Sequence, residues 1–285
     1  MRVYNEEARW QMLRSDMRTY TQFLAGMKKE EPVQAIPDYY SYIGDYCFKN
    51  NGKIKEVRLP LFCRVIGKEA FYRCQFRKQV IFPETLVEIK SSAFAGNHQL
   101  RQAVFPASLE KIREECYKDC ASLTTVSFAS GSRCTELPEG IFESCVHLKN
   151  LTLPERLQSI GSRAFFKCKE LKEVHFPESV TRIGEKAFYF CGMEELKLPG
   201  TLQELGEGAF FNCNFLRNIT LPTSVKKIGR KAFHGCKRLE FLEIRHDPEE
   251  IGPALVNRTC TIRCYKGSKV DSYCDAFELK REYIK

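Results

Sequence analysis

The sequence predicts an α/β repeat solenoid, and three observations carry that prediction. An aromatic residue recurs at intervals of 22–25 residues: Phe48, Phe71, Phe94, Tyr117, Phe142, Phe165, Phe188, Phe210 and Phe233. A segment of the form L-x-x-V-x-F/L-P recurs after it, with apolar residues at period two, as in Val174 and Phe176. A proline such as Pro177 then closes that segment. A period of this size marks an array whose units bury their apolar faces only against their neighbours. The alternation marks a half-buried strand. Proline ends it because it cannot donate a ladder hydrogen bond.

The other columns keep the same register. Five residues before each aromatic stands Ile or Leu, from Ile43 and Ile66 to Leu205 and Ile228. Directly before it comes a small or apolar residue, from Cys47 and Ala70 to Ala232. After the Ile column come Gly44, Gly67, Gly161, Gly184, Gly206 and Gly229. Glycine there predicts either a positive φ or a backbone approach too close for a Cβ. Pro138 fills the slot once, and proline cannot take positive φ.

The pattern I-G-x-x-A-F-x-x-C-x-x-L-x-x-V-x-F-P resembles the BspA-like class of leucine-rich repeats, best at Gly184 to Pro199 and Gly161 to Pro177. The resemblance covers residues 33–245. It implies a curved, right-handed leucine-rich-repeat superhelix with a parallel sheet on one face and short helical or irregular segments on the other. It also implies recognition of proteins or other macromolecules rather than catalysis, often at a cell surface. The chain is accordingly divided into an N-terminal helical cap (1–31), the repeats (32–245) and a C-terminal αβ cap (246–285).

Both ends leave the pattern. Residues 3–30 read as an amphipathic helix with Val3, Trp10, Leu13, Met17, Tyr20, Leu24 and Met27 on one stripe. Such a helix either covers the first coil or binds a partner, including a second copy of itself, although a monomer is expected. After Asp247-Pro248 the sequence predicts an irregular connection, a strand over Thr261 to Tyr265 and a short helix from Ser268 to Phe277. A last strand is expected at Tyr283-Ile284.

Fourteen cysteines would be a disulfide framework in a secreted small domain. Here seven of them, Cys74, Cys120, Cys145, Cys168, Cys191, Cys213 and Cys236, follow the aromatic by three, where Asn51 and Asn97 stand in two other coils. In leucine-rich repeats this slot points inward and bonds the turn backbone of a neighbouring coil, so reduced thiols are expected. Cys260, Cys264 and Cys274 lack the paired spacing of a zinc site, and no metal or other cofactor is expected. Met1 to Lys29 carries no apolar signal core, and no stretch is long enough for a membrane helix. A cytoplasmic location is expected, or an extracellular one if a leader has been removed.

No catalytic constellation is visible. The five histidines fall in different coils, and Gly206-Glu207-Gly208 belongs to the repeat rather than to a phosphate loop. Two columns stand out as binding surfaces. One is basic: Lys55, Lys78, Arg101, Lys149, Lys172 and Arg217, with Thr124 within it and Glu240 ending it. Stacked like charges on a chain of net charge +9 would attract an acidic protein surface, an anionic glycan or nucleic acid, unless Glu56, Glu173 and Glu195 neutralise them. Nucleic acid is disfavoured because no aromatics interleave with these charges. The second column is aromatic: Tyr72, Phe166, Tyr189, Phe211 and His234, with Phe190 beside it. It is either an exposed interface or extra packing. A non-enzymatic protein-recognition scaffold is the leading reading, and a cell-surface adhesin or glycan-binding relative is the alternative.

Overall fold

The coils stack through three segments that recur from coil to coil, each pairing in parallel with its neighbours over much of the described chain. The structure, a computed structural model, describes residues 18–285. The first ladder consists of two-residue strands in the Ile column. Thr19–Tyr20, Tyr42–Ile43, Val65–Ile66, Glu88–Ile89 and Lys111–Ile112 pair in that order, and a second run extends from Glu136–Leu137 to Glu250–Ile251. The break between the runs falls at the coil lengthened to 25 residues.

The second ladder replaces the expected helical segments. Around Phe188, alternate amides reach the next coil: Lys186 N–H to Glu207 O (2.8 Å), Phe188 N–H to Ala209 O (2.8 Å) and Phe190 N–H to Phe211 O (2.9 Å). The intervening amides close local turns, with Ala187, Tyr189 and Cys191 donating to Gly184, Lys186 and Phe188. Every backbone donor from Lys186 to Cys191 is thereby used. Lys186 (φ 52°) and Phe190 (φ 60°) take the left-handed conformation that this alternation demands, and the same two slots are left-handed in coil after coil. The fold is thus a parallel β-solenoid of the leucine-rich-repeat kind with little helix, correcting the α/β expectation. Its only helices among the described residues are Gln22–Gly26 and Lys269–Ala276.

The third ladder is the V-x-F segment, and it is discontinuous. Val33–Ala35 pairs with Glu56–Arg58; Gln102–Phe105, Thr125–Phe128 and Asn150–Thr152 form a three-stranded sheet; Asn218–Leu221, Phe241–Ile244, Thr261–Cys264 and Lys280–Tyr283 form a four-stranded one. The segments around Val80, Val174 and Leu196 keep their buried side chains but form no strand, although Val174 heads one of the most regular copies in the sequence. Where the V-x-F strand forms, parallel pairing therefore lies on more than one side of the coil.

The core is a column of stacked rings. Phe165 and Phe188 lie 5.1 Å apart, Phe188 and Phe210 5.2 Å, and all nine repeat aromatics are buried in one continuous file. Glycine in the slot after the Ile column is required by close approach, not by φ. A Cβ on Gly206 would meet Glu185 N and Gly184 C at 2.5 Å. All fourteen cysteines are buried and unpaired. In the Asn/Cys slot, Cys74, Cys120, Cys145, Cys168, Cys191, Cys213 and Cys236 each donate to the carbonyl of the preceding coil's aromatic at 3.1–3.3 Å. Asn97 makes the equivalent bond to Phe71 O at 2.8 Å.

The N-terminal end differs from expectation, whereas the C-terminal end carries the expected strand, helix and last strand after one further coil. The stripe over residues 3–17 lies outside the described residues, but from there on the chain is not one helix. Thr19–Tyr20 is a strand with Tyr20 paired to Ile43 in the Ile column, and the helix that follows is only Gln22–Gly26. At the other end the register passes residue 245. Ile251 pairs with Ile228, and Phe233 N–H bonds Leu255 O, so one more coil precedes the strand Thr261–Cys264. The helix Lys269–Ala276 begins at Ser268, whose hydroxyl accepts from Asp271 N–H, and the last strand is Lys280–Tyr283.

Candidate interaction surface

Over part of its length the basic column is held in line by backbone bonds from the residue two before the central Val to its counterpart in the preceding coil. Arg101 N–H donates to Lys78 O (2.8 Å), Thr124 to Arg101 (2.9 Å), Lys149 to Thr124 (3.0 Å) and Glu240 to Arg217 (2.8 Å). The same register inserts a residue that the sequence reading passed over. Glu194 N–H donates to Lys172 O at 3.0 Å, so an acid stands between Lys172 and Arg217.

The six cations consequently fall into two groups. Lys172 Nζ lies 2.8 Å from Glu194, a hydrogen bond that raises the Lys172 pKa and lowers that of Glu194. Lys149 Nζ lies 3.1 Å from Glu170, whose carboxyl is lowered first by His147 at 2.7 Å and then by Lys149. Lys55, Lys78, Arg101 and Arg217 have no acidic partner among the described residues. The expected neutralisers serve elsewhere or not at all: Glu56 bonds Arg58 and Glu173 bonds His175.

Where the third ladder opens between the second and third coils, a groove of about 750 Å³ lies against Lys55–Leu59 and Arg77–Ile81. Lys55, Arg58, Arg77 and Lys78 line it with Glu56 as the sole carboxylate, and Pro32 and Val33 close one side. Ile81 is 73% exposed there and Val33 39%. The sequence reading missed Arg58, Arg77 and Ile81. Ile81 carried a signal, because Val80 and Phe82 both face the core, so the residue between them must point outward. Similar grooves flank the unpaired segments farther along, but Glu173, His175, Glu195 and Lys197 give them mixed charge.

Four members of the aromatic column come together and one does not. Phe166 and Tyr189 stack at 4.7 Å, Tyr189 and Phe211 at 5.0 Å, and Phe211 meets His234 at 5.7 Å. Tyr72 lies coils away, between Lys49 and Arg73. All five are half-buried. The stacked rings use their faces on one another, and Arg163 covers Phe166 at 4.0 Å, so the column presents ring edges rather than open platforms.

The histidines stay apart: His98 and His246 contact the Asp119 and Val225 carbonyls, and His234 lies near that of Val256. Among the described residues no three metal-ligating side chains gather. No helix among them is long and apolar enough to cross a membrane.

A stack of near-identical parallel coils with a charged open face defines a repeat solenoid of the leucine-rich-repeat kind. The chain belongs to the BspA-type leucine-rich-repeat family, whose repeat-region model matches six copies over residues 41–138 and 135–262. No curated protein matches the sequence. Among solved structures, it is similar to a leucine-rich repeat protein from Bacteroides ovatus (21% identity over 94% of this chain and 87% of the other, TM-score 0.40). It is also similar to a leucine-rich cell surface protein from Faecalibacterium prausnitzii (21%, 90% and 88%, TM-score 0.44). The leucine-rich repeat protein of T. pallidum matches at 25% identity over 72% of this chain and 85% of its own, with a TM-score of 0.44.

Proposed function

We propose that this chain is a non-enzymatic scaffold that recognises an acidic protein surface through the N-terminal third of its V-x-F face. The carrying observation is the charge imbalance. Lys55, Lys78 and Arg101 stand in successive coils without an acidic partner among the described residues, whereas Lys149 and Lys172 are already paired. Like charges one coil apart repel, and an anionic partner relieves that repulsion while gaining the attraction itself. Nucleic acid fits less well, since the aromatic column offers no free ring faces for bases. In this reading the helix Lys269–Ala276 and the strand Lys280–Tyr283 cap the C-terminal end of a right-handed superhelix.

The test is capture from native lysate at low and high salt. Lys55→Glu/Lys78→Glu/Arg101→Glu should lose a salt-sensitive partner that Lys149→Glu/Lys172→Glu retains. Equal capture by the two variants would remove this surface from consideration.

A further inference from the structure

We infer that the groove between Lys55–Leu59 and Arg77–Ile81 binds an extended acidic peptide segment by strand addition to the free edge of Glu56–Arg58. This rests on the scaffold reading above and gives its partner a conformation and a chemistry.

The edge is the first observation. Glu56–Arg58 pairs with Val33–Ala35 on one side only, as half of a two-stranded sheet. The segment that would continue the ladder, Gln79–Phe82, is held by a single bridge, Gln79 to Gln102, on its far side. The groove therefore borders an unpaired strand inside an otherwise stacked coil array. An extended chain gains main-chain hydrogen bonds from such an edge. A helix, whose backbone bonds are internal, gains nothing from it.

Charge and shape set the side chains. An added strand presents alternate residues to opposite sides. One set would meet Lys55, Arg58, Arg77 and Lys78, where Glu56 is the sole carboxylate and is engaged by Arg58 at 3.4 Å. The other set would meet Leu59, which packs against the core beside Val57, while the exposed Ile81 adds an apolar contact on the outward side with the cations. The matching sequence alternates Asp or Glu with aliphatic residues. No aromatic ring lines the groove, so neither a sugar nor a base finds a stacking partner.

The experiment is fluorescence anisotropy with the full chain and a labelled peptide alternating Glu with Val. Three further probes are its backbone N-methylated form, a heparin oligosaccharide and oligothymidylate. The peptide should bind, and Lys55→Glu/Lys78→Glu should weaken it about tenfold. Ile81→Ser and N-methylation of the peptide should each weaken it as well. Heparin or oligothymidylate binding as tightly as the peptide, with N-methylation neutral, would overturn strand addition in favour of plain polyanion attraction. Absence of peptide binding would overturn the groove assignment. The scaffold reading would survive that result if lysate capture still required Lys55, Lys78 and Arg101, and would fall if capture did not.

Discussion

The Cys168 thiol donates to the carbonyl of Phe142, one coil earlier, across 3.3 Å. The same bond recurs from Cys74 to Cys236, so the most reactive residues of the chain are consumed in joining coils. Native protein should therefore react with none of its fourteen thiols under a mild thiol reagent at neutral pH. After denaturation without reductant, alkylation should add fourteen adducts by intact mass. Fewer adducts would reveal disulfides and refute the ladder of free thiols.

Burial also gives the ladder a pH signature. It pushes Cys74, Cys120 and Cys236 up to about 12 from an ordinary value of 9.0. Between those values the unfolded chain releases protons that the folded chain holds. Stability is intact below pH 9 and falls as pH rises towards 12, by about 1.4 kcal/mol per pH unit for each thiol. Thermal melts should show Tm dropping steeply above pH 9, and Cys120→Asn should flatten the slope by one thiol's share. A Tm constant to pH 10.5 would contradict this.

Gly206→Ala should cost about 2 kcal/mol or more, because the new methyl meets the Gly184–Glu185 peptide at 2.5 Å. Gly52→Ala, whose nearest neighbour would be Gln75 Cγ at 3.9 Å, should stay within about 0.5 kcal/mol. Urea denaturation of the pair separates close packing from a general dislike of losing glycine.

Features set by one side chain meeting its copy in the next coil were legible in the sequence. The phenylalanine file is of this kind, since a fixed spacing writes it into one column; the glycine column was equally visible but left positive φ and close approach open, and the Asn/Cys bond followed from the family resemblance. The turn ladder was not, because its left-handed slots hold glycine only at Gly96, Gly140, Gly208 and Gly235 and are otherwise filled by residues such as Glu69, Arg163 and Lys186. Those residues suit a helix locally, and only hydrogen bonds to the next coil select the turn instead. Tyr20 misled similarly, as its place in an amphipathic stripe also fits the Ile column that it actually joins. Within the candidate surface, the cations were visible but their pairing was not. Glu170 and Glu194 belong to neighbouring coils, and the opening of the ladder beside Glu56–Arg58 is a tertiary event with no local pattern.

Hydrogen exchange of the full chain with and without the acidic peptide tests the central claim, that the N-terminal third of the V-x-F face is the recognition surface. The account predicts slowed exchange confined to amides near 55–59 and 77–81. Protection elsewhere, such as along 217–221, with those amides unchanged, would contradict it.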